Sequence, residues 1–312
     1  MPAPAWIPMR WPLKPRRRWY NSLPFHITLF LLTLLTTLIV GTHIAINYTH
    51  NLPVFDWEVS RAFFQELWRH PAQLLLGVPF SFTLLSILLA HELGHYFACR
   101  YYGIHATYPY FIPAPTLIGT LGAFIRIKSP LVNRRELFDV GISGPLAGFA
   151  VAIPALALAI LLSKAASPAS VPESISLGNP LALILLSKML RPGVSLAHIA
   201  LHPIGCAAWV GLFATALNLL PVGQLDGGHI LYAVIGDKHR NISRGFLLVL
   251  LPLGIFCWIG WMVWGAVLLF FGLRHPVVIE PAETPGRGRK MLAVVALLIL
   301  ALTFVPTPFS IR

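Results

Sequence analysis

Residues 74–90 contain no charged side chain, and with the residues that follow they are apolar enough to form a helix that crosses a bilayer. This stretch leads directly into the sequence His-Glu-Leu-Gly-His at positions 91–95. His91 and His95 are four residues apart and lie on one face of a helix, where both imidazoles can bind one metal ion. Glu92, beside the first histidine, is placed to act as a base. The pattern indicates a hydrolytic metal site inside a membrane helix.

The composition is that of an integral membrane protein. Of the 312 residues, 56% are hydrophobic and only 11% are charged, and the mean hydropathy is +0.73. With so few charged residues, the formal net charge of +12 has to lie in loops and tails, where its partner is an anionic lipid surface rather than nucleic acid. The three cysteines have no CxxC spacing, which argues against a disulfide framework or a cysteine metal site.

Several apolar segments each approach the length of about 20 residues that a helical span needs. They are residues 25–48, 74–97, 137–163, 199–222, 246–272 and 291–306. A further apolar piece, 181–189, is too short to span and fits a surface-lying or re-entrant helix. We therefore predict an all-α polytopic membrane protein with about six transmembrane helices.

Residues 116–128 differ from the leucine-rich segments around them. Gly, Thr, Phe and Ile dominate this stretch, and three prolines at 109, 113 and 115 precede it, which predicts one or two strands. Strands at membrane depth have to be buried in protein or line a cavity, because lipid cannot satisfy their backbone groups. We expect a small membrane-associated β element after the second span, with an edge that can pair with an extended peptide.

The distribution of charge predicts the orientation in the membrane. Residues 1–24 carry five basic residues and no acid, whereas the loop after the first span holds the acids Asp56, Glu58 and Glu66 against two arginines. Because cytoplasmic loops are enriched in Lys and Arg, we expect residues 1–24 to be a basic cytoplasmic tail. The second span then runs inward, so the histidines of the 91–95 motif lie on the cytoplasmic side.

Residues 246–272 leave two alternatives open. As a single span, this segment would put the basic residues Arg274, Arg287, Arg289 and Lys290 on the outer side, against the trend of the other loops. Pro252 and Gly254 would instead break the segment into a re-entrant pair.

A catalytic zinc ion needs three protein ligands and an open position for water, so the helix motif leaves one ligand to find. Asp226 is the best candidate, because it directly follows an apolar span, where a carboxylate costs about 2.5–3.5 kcal/mol unless something compensates it. A metal cation would do so. The alternative is a helix-capping aspartate, since Asp before Gly-Gly is a common turn. The offsets of Asn218 and Pro221 favour the ligand.

The motif at 91–95, together with Asn218-Leu-Leu-Pro221 through Asp226-Gly227, resembles the site-2 protease family of intramembrane zinc metalloproteases. Residues 119–149 are similar to the branch that includes the plastid members of plants and their bacterial relatives. The resemblance covers about 74–230, half of the chain.

This resemblance implies a set of roles. His91, His95 and Asp226 are expected to bind one Zn²⁺ per chain, with Glu92 as the catalytic base and Asn218 as a supporting polar residue near the substrate. Zinc lowers the pKa of its bound water to near 7 and polarises the scissile carbonyl. The implied substrates are transmembrane proteins. Many family members carry a PDZ domain between the third and fourth core spans, and this chain has no room for one there.

These expectations divide the chain into four parts. Residues 1–24 form the basic tail, and 25–73 form the first span and its loop. The metalloprotease core is 74–231, with three spans, and 232–312 holds the C-terminal spans, for which we hypothesise a gating role. Gly141, Gly144 and Gly148 on the third span are expected to allow close helix packing.

Two rival functions are a membrane zinc transporter, since His and Asp inside a membrane also line ion pathways, and a relative that binds membrane clients without cutting them. The first predicts polar residues along several spans, and the second predicts a lost ligand or base. The expected setting is a bacterial inner membrane, because no long Ser-rich N-terminal extension is present, with a plastid membrane as the alternative.

Other histidines and aromatic residues have simpler interpretations. His229, close to Asp226, is either a partner that orients a ligand or a plain loop histidine, and the second is favoured. His198 and His202 have the spacing of a metal pair, but no glutamate lies between them and they are expected on the opposite side of the bilayer. The tryptophans at 258, 261 and 264 are expected to serve packing.

Overall fold

The computed structural model describes residues 19–54, 61–130, 132–165, 175–271 and 285–311. In this part of the chain the helices are α1 Leu23–Thr49, α2 Arg61–Arg69, α3 Val78–Tyr101, α4 Arg134–Leu162, α5 Leu181–Leu190, α6 Pro203–Asn218, α7 Asp226–Ile235, α8 His239–Phe256, α9 Gly260–Phe271 and α10 Arg287–Thr303. The strands are β1 Tyr110–Pro113, β2 Thr120–Phe124, β3 Lys164–Ala165, β4 Ile175–Leu177, β5 Ile199–Ala200 and β6 Phe309–Ile311. The predicted tail up to residue 18, Asp56, Glu58 and Arg274 lie outside the described residues.

Three helical segments are long and apolar enough to cross a membrane: α1, residues Pro71–Tyr101 with a 3-10 turn ahead of α3, and α4. At 1.5 Å per residue their 27, 31 and 29 residues exceed the roughly 30 Å of a hydrocarbon core. Helix α6, with 16 residues, is shorter than the predicted 199–222 segment. The prediction of a helical membrane protein is confirmed, and the number of six spans stays a prediction.

Helices α3, α4 and α6 pack closely because glycines face their neighbours. A Cβ atom on Gly94 of α3 would lie 2.4 Å from the Ser143 carbonyl oxygen of α4, and one on Gly211 of α6 would lie 2.7 Å from Cγ2 of Ile87 on α3. The space between these helices is filled by a buried apolar cluster that includes Ala152 of α4 and Leu212 of α6. Close packing fixes the relative positions of the helices that carry the site.

Strands β1 and β2 form an antiparallel hairpin directly after α3. Its second strand lies inside the predicted segment 116–128, but its first lies further upstream, directly after Pro109 and with Pro113 as its last residue. At the tip, Gly119 has a φ of +78° and its carbonyl oxygen accepts a hydrogen bond of 2.6 Å from Oγ1 of Thr36, in the middle of α1. The hairpin therefore lies against a candidate membrane span, which satisfies part of its backbone.

The predicted segment 246–272 is two helices. The break falls at residues 257–259, whereas Pro252 lies inside α8. Helices α8 and α9 pack side by side, because a Cβ atom on Gly254 would lie 2.2 Å from Cγ of Met262, and Arg244 and Leu269 line one cavity of about 410 Å³ between them. Helix α9 thus runs back alongside α8 as far as the level of Arg244, and the re-entrant alternative stays a prediction.

The opposite end of the bundle is closed by short antiparallel pairings, β3 with β5 and β4 with β6. Trp209 donates its indole N–H to the Gly178 carbonyl at 2.6 Å, and Trp261 donates to the Pro306 carbonyl at 2.7 Å. Trp258 contacts Trp261 and Phe309. Trp258, Trp261 and Trp264 belong to one apolar cluster, as expected, and the hydrogen bond of Trp261 ties the C-terminal segment to α9.

Candidate metal centre

The two histidines of α3 meet as the helical spacing predicts. His91 and His95 are 6% and 7% exposed, and their Nε2 atoms are 3.1 Å apart. The Nδ1–H of His95 donates to the backbone carbonyl of Val140 on α4 at 2.7 Å, so that in the neutral ring the lone pair of Nε2 points toward His91. Two nitrogens facing each other at this distance require a cation or a proton between them.

Asp226 reaches the histidines from a different part of the chain. Helix α6 ends at Asn218, and α7 begins at Asp226 after a tight loop. The loop can fold back on itself because a Cβ atom on Gly227 would lie 2.0 Å from the Leu219 carbonyl oxygen. As a result, Oδ2 of Asp226 lies 3.2 Å from Nε2 of His91 and 3.3 Å from Nε2 of His95.

The spacing of these three atoms fits zinc. A tetrahedral zinc ion with bonds of about 2.0–2.1 Å places its ligand atoms about 3.3–3.4 Å apart. In this structure the three distances between Nε2 of His91, Nε2 of His95 and Oδ2 of Asp226 are 3.1–3.3 Å. Within the described residues, these three side chains form the group of potential ligands whose atoms lie close enough together to hold one metal ion. Two imidazoles and one carboxylate are also a donor set that zinc uses in catalytic sites.

Glu92 lies beside the histidines and is 6% exposed. The backbone N–H of Ile125, the residue after β2, lies close enough to its carboxylate to favour the charged form. The end of the hairpin therefore lies next to this side chain. Asn218 lies on the other side, with Nδ2 3.2 Å from Nε2 of His91. The structure thus brings together all five residues that the sequence singled out.

Two glycines of α4 make room for the imidazole rings. A Cβ atom on Gly144 would lie 2.1 Å from Nε2 of His95, and one on Gly148 would lie 3.2 Å from Cβ of His91. The expectation of close helix packing missed this more specific role, because the sequence does not show which face of α4 meets α3. The Val140 carbonyl and the Ile125 amide were missed too, since backbone groups leave no signal in side-chain identity.

The sequence pattern also drew attention to His229 and to the pair His198 and His202. A Cβ atom on Gly141 would lie 3.0 Å from Cβ of His229, so His229 packs on α4. His202 caps α6 by accepting a hydrogen bond from the Ile204 N–H. His202 precedes the first residue of α6, and Asn218 is the last. At 1.5 Å per residue, the 16 residues of α6 put about 24 Å between His202 and Asn218. The pair His198 and His202 is therefore no part of the metal centre.

The fold and the convergent cluster define a helical membrane protein with a candidate metal centre between its spans. A family model for Peptidase family M50 matches residues 79–259, which contain all five residues of the site, and the chain belongs to this family. The match ends before α10 and begins after α1.

Curated relatives agree with this family. The chain is 33% identical to the probable zinc metalloprotease EGY1, chloroplastic, of Oryza sativa subsp. japonica over 239 residues, which are 74% of this chain and 41% of the relative. It is 33% identical to EGY1 of Arabidopsis thaliana over 244 residues (74% and 43%), and 31% identical to EGY2 of the same plant over 247 residues (75% and 42%). The aligned residues thus cover about two fifths of the length of these relatives.

Proposed function

We propose that this chain is an intramembrane zinc metalloprotease that hydrolyses peptide bonds within or near the transmembrane segments of other membrane proteins. The observation that carries the proposal is the convergence of His91, His95 and Asp226 to within 3.1–3.3 Å beside a buried Glu92. Membership of family M50 supports it, as do relatives named as probable zinc metalloproteases.

In this proposal His91, His95 and Asp226 hold the zinc, which when bound lowers the pKa of water to near 7 and polarises the scissile carbonyl. Glu92 accepts the proton of the attacking water and delivers it to the leaving amine. The Ile125 N–H lies near this carboxylate and favours its charged form, which is the form that accepts a proton. The Asn218 amide, which lies beside His91, donates to the substrate backbone or to the ligand set.

The substrate is proposed to approach along the hairpin. An apolar cavity of about 770 Å³ lies between α1, α2, α6 and the hairpin tip, and Thr120 at the start of β2 is one of its lining residues. From there β2 leads to Ile125, whose amide reaches Glu92. A substrate segment held in an extended conformation beside β2 would expose its peptide bonds near Glu92. Cleavage of a helical segment requires such unwinding. This route does not depend on a PDZ domain.

The zinc transporter is the rival function, and metal removal separates the two. Purified protein in liposomes with a single-span substrate is expected to cleave it, to lose all cleavage when a chelator strips the metal, and to regain cleavage with one zinc per chain. A transporter would instead move zinc across the liposome membrane and leave the substrate intact. Metal-free wild-type protein that still cleaves would also contradict the proposal.

For the orientation, we propose that the end bearing the starts of α4, α8 and α10 faces the cytoplasm of a bacterium. This end holds most of the described basic residues, namely Arg100, Arg126, Lys128, Arg134, Arg135, Lys238, Arg240, Arg244, Arg287, Arg289 and Lys290. The opposite end of the bundle holds Arg69, Lys164, Lys188 and Arg191. The relatives carry the word chloroplastic in their names, so a plastid membrane is the second setting that fits.

The arrangement of α8 and α9 gives a prediction for cysteine labelling. In a chain whose three native cysteines are replaced, cysteines at the exposed positions Arg100 and Gly286 are expected to react with a membrane-impermeant maleimide from the same side. A cysteine at Ile259, which is 65% exposed on the turn between α8 and α9, is expected to react from neither side if the pair is re-entrant, because its turn would then lie in lipid. Labelling of Gly286→Cys from the side opposite Arg100→Cys would rule out the re-entrant pair.

A further inference from the structure

Three side chains from three helices meet close to the metal centre but outside it. Arg289, in the first turn of α10, donates from Nε to Oδ1 of Asp139 at 2.8 Å and from Nη2 to Oδ2 at 2.6 Å. The hydroxyl of Tyr102 donates to the same Oδ2 atom, and Nη2 of Arg289 lies 3.4 Å from that hydroxyl oxygen. We refer to Tyr102, Asp139 and Arg289 as the Asp139 cluster.

The Asp139 cluster joins the two helices whose contact orients His95. Tyr102 is the C-cap residue directly after α3, the helix of the motif, and Asp139 lies in α4 directly before Val140. The Val140 carbonyl accepts the hydrogen bond from Nδ1 of His95, and this bond directs Nε2 toward Asp226. A shift of α4 at residue 139 would therefore move the acceptor on which the ring depends.

The geometry of the cluster is that of an orienting contact. Arginine bound to both oxygens of a carboxylate fixes the plane of the carboxylate as well as its distance. The side chains of Arg289 and Asp139 are 30% and 25% exposed, and pairs with this much solvent contact add little to folding stability. Burial and the hydrogen bond to Asp139 raise the pKa of Tyr102, which keeps its hydroxyl protonated as the donor.

We propose that Asp139 and Arg289 are positioning residues for the metal centre, which hold the α4 backbone at residue 140 so that His95 keeps its orientation. The inference rests on the proposed function only in that His95 is a zinc ligand. It gives α10, which lies outside the region matched to family M50, a direct part in the site.

The test measures metal binding rather than activity alone. Asp139→Asn and Arg289→Gln are expected to speed the release of zinc to a competing chelator by about tenfold, the lower end of the range for lost partners of metal-bound histidines. They are also expected to shift the visible absorption bands of the protein loaded with Co²⁺, because these bands report the ligand geometry. Arg289→Lys, which keeps the charge but loses the two-point contact, is expected to fall between wild type and Arg289→Gln.

A matched control removes a similar cross-link far from Val140. Trp261→Phe loses the 2.7 Å hydrogen bond to the Pro306 carbonyl, beyond the other end of α10. It is expected to lower the melting temperature while leaving zinc release and the Co²⁺ spectrum as in wild type. If Arg289→Gln and Arg289→Lys behave like this control, the cluster serves helix packing alone and the inference is wrong. Wild-type protein that binds neither metal would overturn the proposed function instead.

Discussion

Glu92→Gln protein is expected to bind one zinc ion per chain and to cleave its substrate at a rate lower by about 10²–10⁴-fold, the usual contribution of a general base. The amide has the shape of the carboxylate but cannot take a proton from water. It leaves the three atoms of His91, His95 and Asp226 that face one another untouched. This variant should therefore keep its zinc binding and lose most of its cleavage rate.

Glu92→Gln is also expected to remain folded. Glutamine has nearly the shape of glutamate, and the Ile125 N–H near this side chain can interact with the amide oxygen as it does with the carboxylate. The matched control is Glu136→Gln, the same change at the start of α4, where the carboxylate accepts from the Val132 N–H and the Asn133 amide. Cleavage should be measured with zinc content on the same preparations. Full activity in Glu92→Gln would remove Glu92 from the mechanism.

Much of this centre could be predicted from the sequence because its constraints are local or energetic. The spacing of His91 and His95 follows from 3.6 residues per turn and needs no tertiary information. Asp226 stood out because an acid at the end of an apolar span needs a compensating partner. The predicted ligand set and the geometry agree, with Oδ2 of Asp226 within 3.3 Å of both histidines.

Helix partners and backbone contacts could not be predicted in the same way. In lipid both the buried and the exposed faces of a helix are apolar, so the periodicity that marks a buried face in soluble proteins is lost. The role of Gly144 depends on which face of α4 meets His95, and hydropathy does not record this. The start of the hairpin at Tyr110 was missed because prolines argue against strands, and here they lie at its ends.

The division of 246–272 into α8 and α9 shows the same limit. Pro252 was the evident breaker, but it lies inside α8, where a membrane helix tolerates it. The turn falls instead where Gly254 allows Met262 to approach, a tertiary contact that no local rule predicts. The charge pattern favoured a break, because a helical pair brings the basic residues in the first turn of α10 to the end that is proposed to face the cytoplasm.

Gly144→Ala is expected to abolish stoichiometric zinc binding and, with it, all cleavage. The added methyl group would lie 2.1 Å from Nε2 and 2.5 Å from Cδ2 and Cε1 of His95, far inside van der Waals contact. The ring can escape only by turning away, which breaks its bond to the Val140 carbonyl and moves Nε2 from Asp226. A metal centre with three ligands cannot lose one and keep its affinity.

Alanine is favoured over glycine inside helices by about 1 kcal/mol, so the helix itself tolerates the change, and the melting temperature of the variant measures whether the clash unfolds the bundle. Gly245→Ala in α8, where nothing lies within 4 Å of the new Cβ atom, is the matched control and should bind zinc as wild type does. Gly148→Ala, whose Cβ atom would lie 3.2 Å from Cβ of His91, should weaken binding less than Gly144→Ala. Zinc content and chelator competition test this order. Wild-type zinc affinity in Gly144→Ala would mean that His95 does not bind metal in the orientation described.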